Sequence, residues 1–246
     1  PAPRTVTSTV AIPVACFHCP DDQIGHDSMT DQHAKLEWRD TGVPVSVQFD
    51  DPYYSLDDGV AETQHVFLGG NDLPARFTDG FHIAELGFGT GLNFLVTLAA
   101  WRASSVSGKL HFTSFEAFPM DATDMRRALA AFDGLPADVF GDEFLSALSG
   151  PDFELKVIVG DARQTLADWG GNADAWFLDG FSPAKNPELW GTDLMAQVGA
   201  HTAQGGSVAT YTAAGFVRRG LSDAGFSIKR VQGFGRKRHM TRGAKL

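Results

Sequence analysis

Between Phe81 and Tyr211 the chain alternates short, nearly continuous apolar runs with longer stretches of helical spacing. Apolar runs bounded by Gly, Asp or Pro read as strands buried on both faces, and their alternation with helices is the signature of a parallel sheet. The pattern predicts strands over Phe81 to Leu86, Leu110 to Phe115, Leu155 to Val159, Ala173 to Leu178 and Ser207 to Tyr211. Helices are expected over Gly91 to Trp101, over Asp121 to Phe132 with Asp121 as cap, and over Phe216 to Ala224. Ile228 to Phe234 and Lys237 to Thr241 predict an antiparallel closing pair. Upstream, Leu36 to Phe49 reads as short strands around a turn at Asp40-Thr41-Gly42, and Asp50 to Ser55 as a loop. Gly59 to Leu68 reads as a helix stopped by Gly69-Gly70. The expectation is an α/β protein with a mostly parallel, seven-stranded sheet and an N-terminal β-rich extension. Its parts are a leader over 1–28, strands and a helix over 29–75, and a core over 76–246.

Composition narrows this only slightly. Hydrophobic content of 43% and charged content of 20% are ordinary for a globular protein, and no apolar run approaches a membrane span. Val10 to Phe17 is signal-like, but Pro13 breaks it and no clean cleavage site follows. Met29 is a candidate natural start. Both cysteines, Cys16 and Cys19, lie in the leader, which leaves the body without thiols and fits a cytoplasmic protein. Their spacing is zinc-like, with His26 and His33 as loose further ligands, but a second pair is missing, and an incidental pair is the reading adopted. Charge is unevenly distributed. From Phe216 onward nine basic residues face one acid, a net of +8, whereas the chain as a whole carries −10. A basic edge on an acidic body suits phosphate contact.

Candidate chemistry collects at the predicted strand ends. Glu85, Glu116, Asp161 and Asp179 each close a strand, and in an open α/β sheet such ends converge on one crevice. Gly87, Gly89 and Gly91 let the backbone turn tightly and approach a ligand, with a helix N-terminus behind them. A dinucleotide fingerprint would place its third glycine or alanine at Leu92, and an acid just ahead of the glycines suits a cationic sulfonium better than a pyrophosphate. Glu116 is placed to accept ribose hydroxyls, and Asp161, followed by Ala162, to accept from an adenine amino group. Asp179 opens the loop Asp179-Gly180-Phe181-Ser182-Pro183 and occupies an acceptor position. An unperturbed aspartate near pKa 3.9 is a weak base, so Asp179 is expected to aim a substrate amine rather than take its proton.

The segments Glu62 to Asn71, Glu85 to Asn93, Asp179 to Trp190, Ala214 to Leu221 and Gly233 to Arg238 together resemble the methyltransferase domain of the MnmC family of tRNA-modifying proteins. The resemblance implies a Rossmann-like class I fold that binds S-adenosylmethionine through Glu85, Gly87, Gly89, Gly91, Asn93, Glu116, Asp161, Ala162 and Asp179. It also implies N-methylation of 5-aminomethyl-(2-thio)uridine at the tRNA wobble position, with Asp179 catalytic. Tyr53, Tyr54 and Phe181 are then candidates for stacking on a splayed base, and Lys185, Arg236, Lys237 and Arg238 for phosphate. Another amine substrate of the same fold is the alternative. The family's flavin-dependent oxidase half has no counterpart in these residues, so the chain is expected to be either a single-domain enzyme with a separate FAD-dependent oxidase as partner on the tRNA, or a piece of a bifunctional one. No membrane partner is expected.

Overall fold

A mostly parallel sheet of eight strands organises the protein, flanked by helices on both faces. In the computed structural model, which describes residues 33–55, 58–141 and 146–246, the strands are β4 (His82–Leu86), β5 (Leu110–Glu116), β6 (Ala147–Ser149), β7 (Phe153–Val159), β8 (Ala173–Leu178), β9 (Thr202–Thr210), β10 (Phe226–Gln232) and β11 (His239–Lys245). Their order is β10-β11-β9-β8-β4-β5-β7-β6. The five central strands run parallel, while β6, β10 and β11 are antiparallel edge elements. The sheet thus has one strand more than expected, because the short β6 carries too little pattern to be read. A separate three-stranded sheet, β1 (Leu36–Trp38), β2 (Pro44–Ser46) and β3 (Asp51–Pro52), forms the N-terminal extension. The cysteine pair, His26 and Met29 lie outside the described residues.

Period-two alternation splits the core between the two faces. Ile83, Phe112 and Phe177 point toward α2 (Leu92–Ala103) and α3 (Ala122–Leu129), whereas Ala84, Phe115, Trp176 and Leu178 pack under α5 (Thr192–Ala200) and α6 (Gly215–Asp223). No helix among the described residues is long and apolar enough to cross a membrane.

Two local expectations change. The helix begun by α1 (Gly59–Thr63) passes into a π-helical turn over Gln64–Leu68 and a 3₁₀ turn over Gly69–Asn71, instead of stopping at Gly69. Gly70 is needed there for packing, since a Cβ would sit 2.6 Å from the Ala209 Cβ on β9. Asp121 does precede α3, but its side chain makes no cap and pairs with His33 at 3.1 Å.

The chain moves from β4 outward to β5 and β7, then returns to β8 on the other side of β4. Ligands bind in such sheets outside the carboxyl ends at this reversal. The ladder continues past the strand ends: Asp179 N–H donates to Leu86 O at 3.0 Å and Gly87 N–H to Phe115 O at 2.9 Å.

Candidate active site

At that edge lies a cavity of about 880 Å³. Its floor is backbone. Gly87 has φ +90°, and a Cβ there would lie 2.5 Å from the Asp179 carbonyl oxygen, so only glycine lets the two strand ends lie side by side. Gly91, φ +78°, caps α2 without a side chain, and a Cβ there would lie 2.7 Å from the Phe140 ring. Glu116 reaches the rim, where its carboxylate accepts from Gly89 N–H at 3.0 Å and Phe118 N–H at 2.8 Å. Burial nevertheless holds its carboxyl above the ordinary range. Asp161 caps α4 (Ala162–Thr165) and is gripped by the Arg163 guanidinium, which keeps it ionised to lower pH than usual.

Three expected site residues stand outside this wall. Glu85 is fully buried, because alternation along β4 turns it under α2 rather than out to the edge. There it accepts from Ser114 Oγ at 2.7 Å and Asn93 Nδ2 at 2.9 Å, and burial raises its carboxyl well above the ordinary value. Gly91 lies behind the loop as the helix cap. Arg238 faces a neighbouring groove with Arg230 and His239 instead of the cavity. The other expected residues, Gly87, Gly89, Asn93, Glu116, Asp161, Ala162, Asp179, Tyr53, Tyr54, Phe181, Lys185, Arg236 and Lys237, all line it.

The side chains around Asp179 are already engaged with their neighbours. Asn93 Nδ2 donates to Asp179 Oδ2 at 2.6 Å as well as to Glu85, and its Oδ1 accepts from Thr63 at 2.7 Å. Burial lifts the Asp179 carboxyl from 3.8 to about 7, against the opposing pull of the Asn93 hydrogen bond. At that value the carboxyl is able to accept a proton near neutral pH as well as to aim an amine. Phe181 stacks on Phe49 at 4.8 Å and meets the edge of Tyr53 at 5.1 Å, while the Tyr54 hydroxyl reaches Ala128 O at 3.4 Å. Lys185 is bound to Asp50, and Asp51 accepts from Ser182 N–H at 2.8 Å, which ties the Asp179 loop to β3. Sequence reasoning overlooked Glu62, Thr63, Asp51, Arg163 and Tyr211, all on the wall. Tyr211 donates to Gly180 O at 2.7 Å and steadies the loop from below.

A family model described as S-adenosyl-L-methionine-dependent methyltransferase matches residues 137–246. Over 236 residues the chain is 44% identical to the tRNA 5-methylaminomethyl-2-thiouridine biosynthesis bifunctional protein MnmC of Aeromonas hydrophila, covering 86% of this chain and 35% of that protein. Identity to the same-named protein of a Caulobacter species is 46% over 221 residues, covering 82% and 37%. The chain spans about a third of the length of these relatives. The crystal structure of MnmC2 from Aquifex aeolicus superposes with a TM-score of 0.66 at 24% identity, covering 87% of this chain and 71% of that one, a likeness of fold. The cavity fits the ligand named by the family: a glycine cradle that a Cβ would close, with the Glu116 and Asp161 carboxylates as acceptors on its wall. The chain belongs to the S-adenosyl-L-methionine-dependent methyltransferases and is homologous to the MnmC proteins over the third of their length that it covers.

Proposed function

We propose that the protein methylates the primary amine of 5-aminomethyl-(2-thio)uridine at the tRNA wobble position, giving 5-methylaminomethyl-(2-thio)uridine. The observation that carries the amine is Asp179, a carboxyl of pKa about 7 on the wall of the cavity beside the glycine loop. The tRNA follows from the tRNA-modifying relatives that the chain resembles. The basic residues Arg236 and Lys237 at the cavity support it.

When bound, S-adenosylmethionine supplies an electrophilic methyl group on a sulfonium. Gly87 and Gly89 would admit it, Glu116 would accept from its ribose hydroxyls and Asp161 from its adenine amine. A primary alkylamine has a reference pKa near 10.4 and arrives as an ammonium with no free lone pair. Asp179 takes one N–H proton on its carboxylate and turns the lone pair toward the methyl group. Asn93 fixes the Asp179 carboxylate so that this orientation precedes the encounter. The wobble base lies in a single-stranded loop and is open to being splayed out. To stack on Phe181 or Tyr53 it must first displace an aromatic partner that each already has.

The test is transfer of radiolabelled methyl to tRNA from a strain lacking this modification, followed by nucleoside identification. Label in 5-methylaminomethyl-uridine is expected. Label confined to a protein or a small amine would replace tRNA with that substrate.

A further inference from the structure

The run from Glu62 to Asn71 has two ends in different surroundings. Asn71 is wholly buried, donating to Phe67 O at 2.9 Å and accepting from Ser207 at 2.6 Å, and serves the fold. Glu62 lines the cavity with its side chain 13% exposed. Its Oε1 receives the Lys237 ammonium at 2.7 Å, and that same ammonium sits 4.1 Å above the Tyr211 ring. A carboxylate and an aromatic face on the wall of the reaction cavity thus already hold a primary alkylammonium. That is the group an amine substrate presents before it loses its proton. Glu62 and Lys237 also act on Asp179 with opposite signs, so exchanging one ammonium for another at this place leaves the field at Asp179 balanced.

We infer that Glu62 is the carboxylate that receives the substrate's ammonium, and that Lys237 holds this place in the free protein and is exchanged for it. The inference rests on the amine-acceptor reading above. The Lys237 side chain is 46% exposed, so releasing it into water costs little. Glu62 then binds and Asp179 deprotonates, two carboxylates with separate tasks. A neutral hydroxyl in place of the amine could donate one hydrogen bond to Glu62 but form no ion pair with it, which makes the residue a determinant of specificity.

Two measurements test this. With tRNA carrying 5-aminomethyluridine, Glu62→Gln is expected to raise KM at least tenfold, with kcat within threefold and S-adenosylmethionine affinity within twofold of the parent. An unchanged KM, or a loss confined to kcat, overturns the inference. The second measurement needs no tRNA: calorimetric titration of benzylammonium into protein saturated with S-adenosylhomocysteine. Binding at least fivefold weaker in Glu62→Gln and tighter in Lys237→Met is expected. No binding by the parent, or equal binding by all three proteins, overturns it. A parent that shows the expected benzylammonium pattern but leaves tRNA unmethylated would sink the tRNA substrate and still support Glu62 as the ammonium site.

Discussion

The proposed cofactor and acceptor halves of the cavity are built by different means. On the cofactor half, backbone does the work: Gly87 lies against the Asp179 carbonyl, and the Glu116 carboxylate is held by the N–H groups of Gly89 and Phe118. On the acceptor half, side chains reach groups far away in sequence: Lys237 the Glu62 carboxylate, Asp51 the Ser182 N–H and Tyr211 the Gly180 carbonyl. A backbone cradle is rigid and suits a ligand that never changes. A shell of exchangeable side-chain contacts suits a substrate that must displace some of them. Asn93 joins the halves, with one amide group donating to both Glu85 and Asp179.

Separate failure of the halves would confirm this division. Asp179→Asn should cut methyl transfer by about a hundredfold, the usual scale for a lost general base, while S-adenosylmethionine affinity measured by calorimetry stays within threefold. The same variant should be more stable near pH 8. Burial raises the Asp179 carboxyl from 3.8 to about 7, so the folded protein binds this proton more tightly than the unfolded chain. That contribution to stability is present at low pH and is lost as pH rises through this window. Asparagine removes the cost, and a thermal midpoint higher by ~2–4 °C is expected for a gain of about 1 kcal/mol. Gly87→Ala should do the reverse on the other half, weakening S-adenosylmethionine binding by at least tenfold. Binding by this variant equal to the parent's would contradict the backbone cradle.

Asn93→Ala should lower transfer about tenfold while moving cofactor affinity less than threefold, because it frees the Asp179 carboxylate without removing it. Asp51→Ala removes the tie from β3 to Ser182 on the Asp179 loop, together with the longer contact to Lys185 at 3.9 Å. A two- to threefold rise in the KM for tRNA, with kcat unchanged, is the expected outcome. If Asp51→Ala weakened S-adenosylmethionine binding as strongly as Gly87→Ala, the division between the halves would fall.

The same difference explains what the sequence revealed. The cofactor half is local: buried strands read as apolar runs, the glycine loop lies between one strand and its helix, and Glu116 and Asp161 follow directly from strand ends. Even there, Glu85 could be placed in position but not in direction, because a one-residue step along a strand reverses the face. The acceptor half depends on pairings that no window of sequence contains. Glu62 and Lys237 are 175 positions apart, and Asp51 and Ser182 are 131. The elevated carboxyl of Asp179 comes from burial among such residues, so sequence alone supplied only the reference value. The helix α5 was missed for a simpler reason: its N-cap is Gly191, which offers no capping side chain.

In the proposed reaction Asp179 is the group that takes the proton of an amine. Its most direct test is the pH dependence of kcat/KM for methyl transfer to 5-aminomethyluridine tRNA, parent against Asp179→Asn, since this ratio reports ionisations of the free protein. The parent should show a rising limb with its inflection near pH 7, the value set by burial of Asp179. In Asp179→Asn that inflection should vanish, leaving a slower rate that climbs only toward the amine's own, higher pKa. An inflection near 7 that survives in Asp179→Asn would contradict the account.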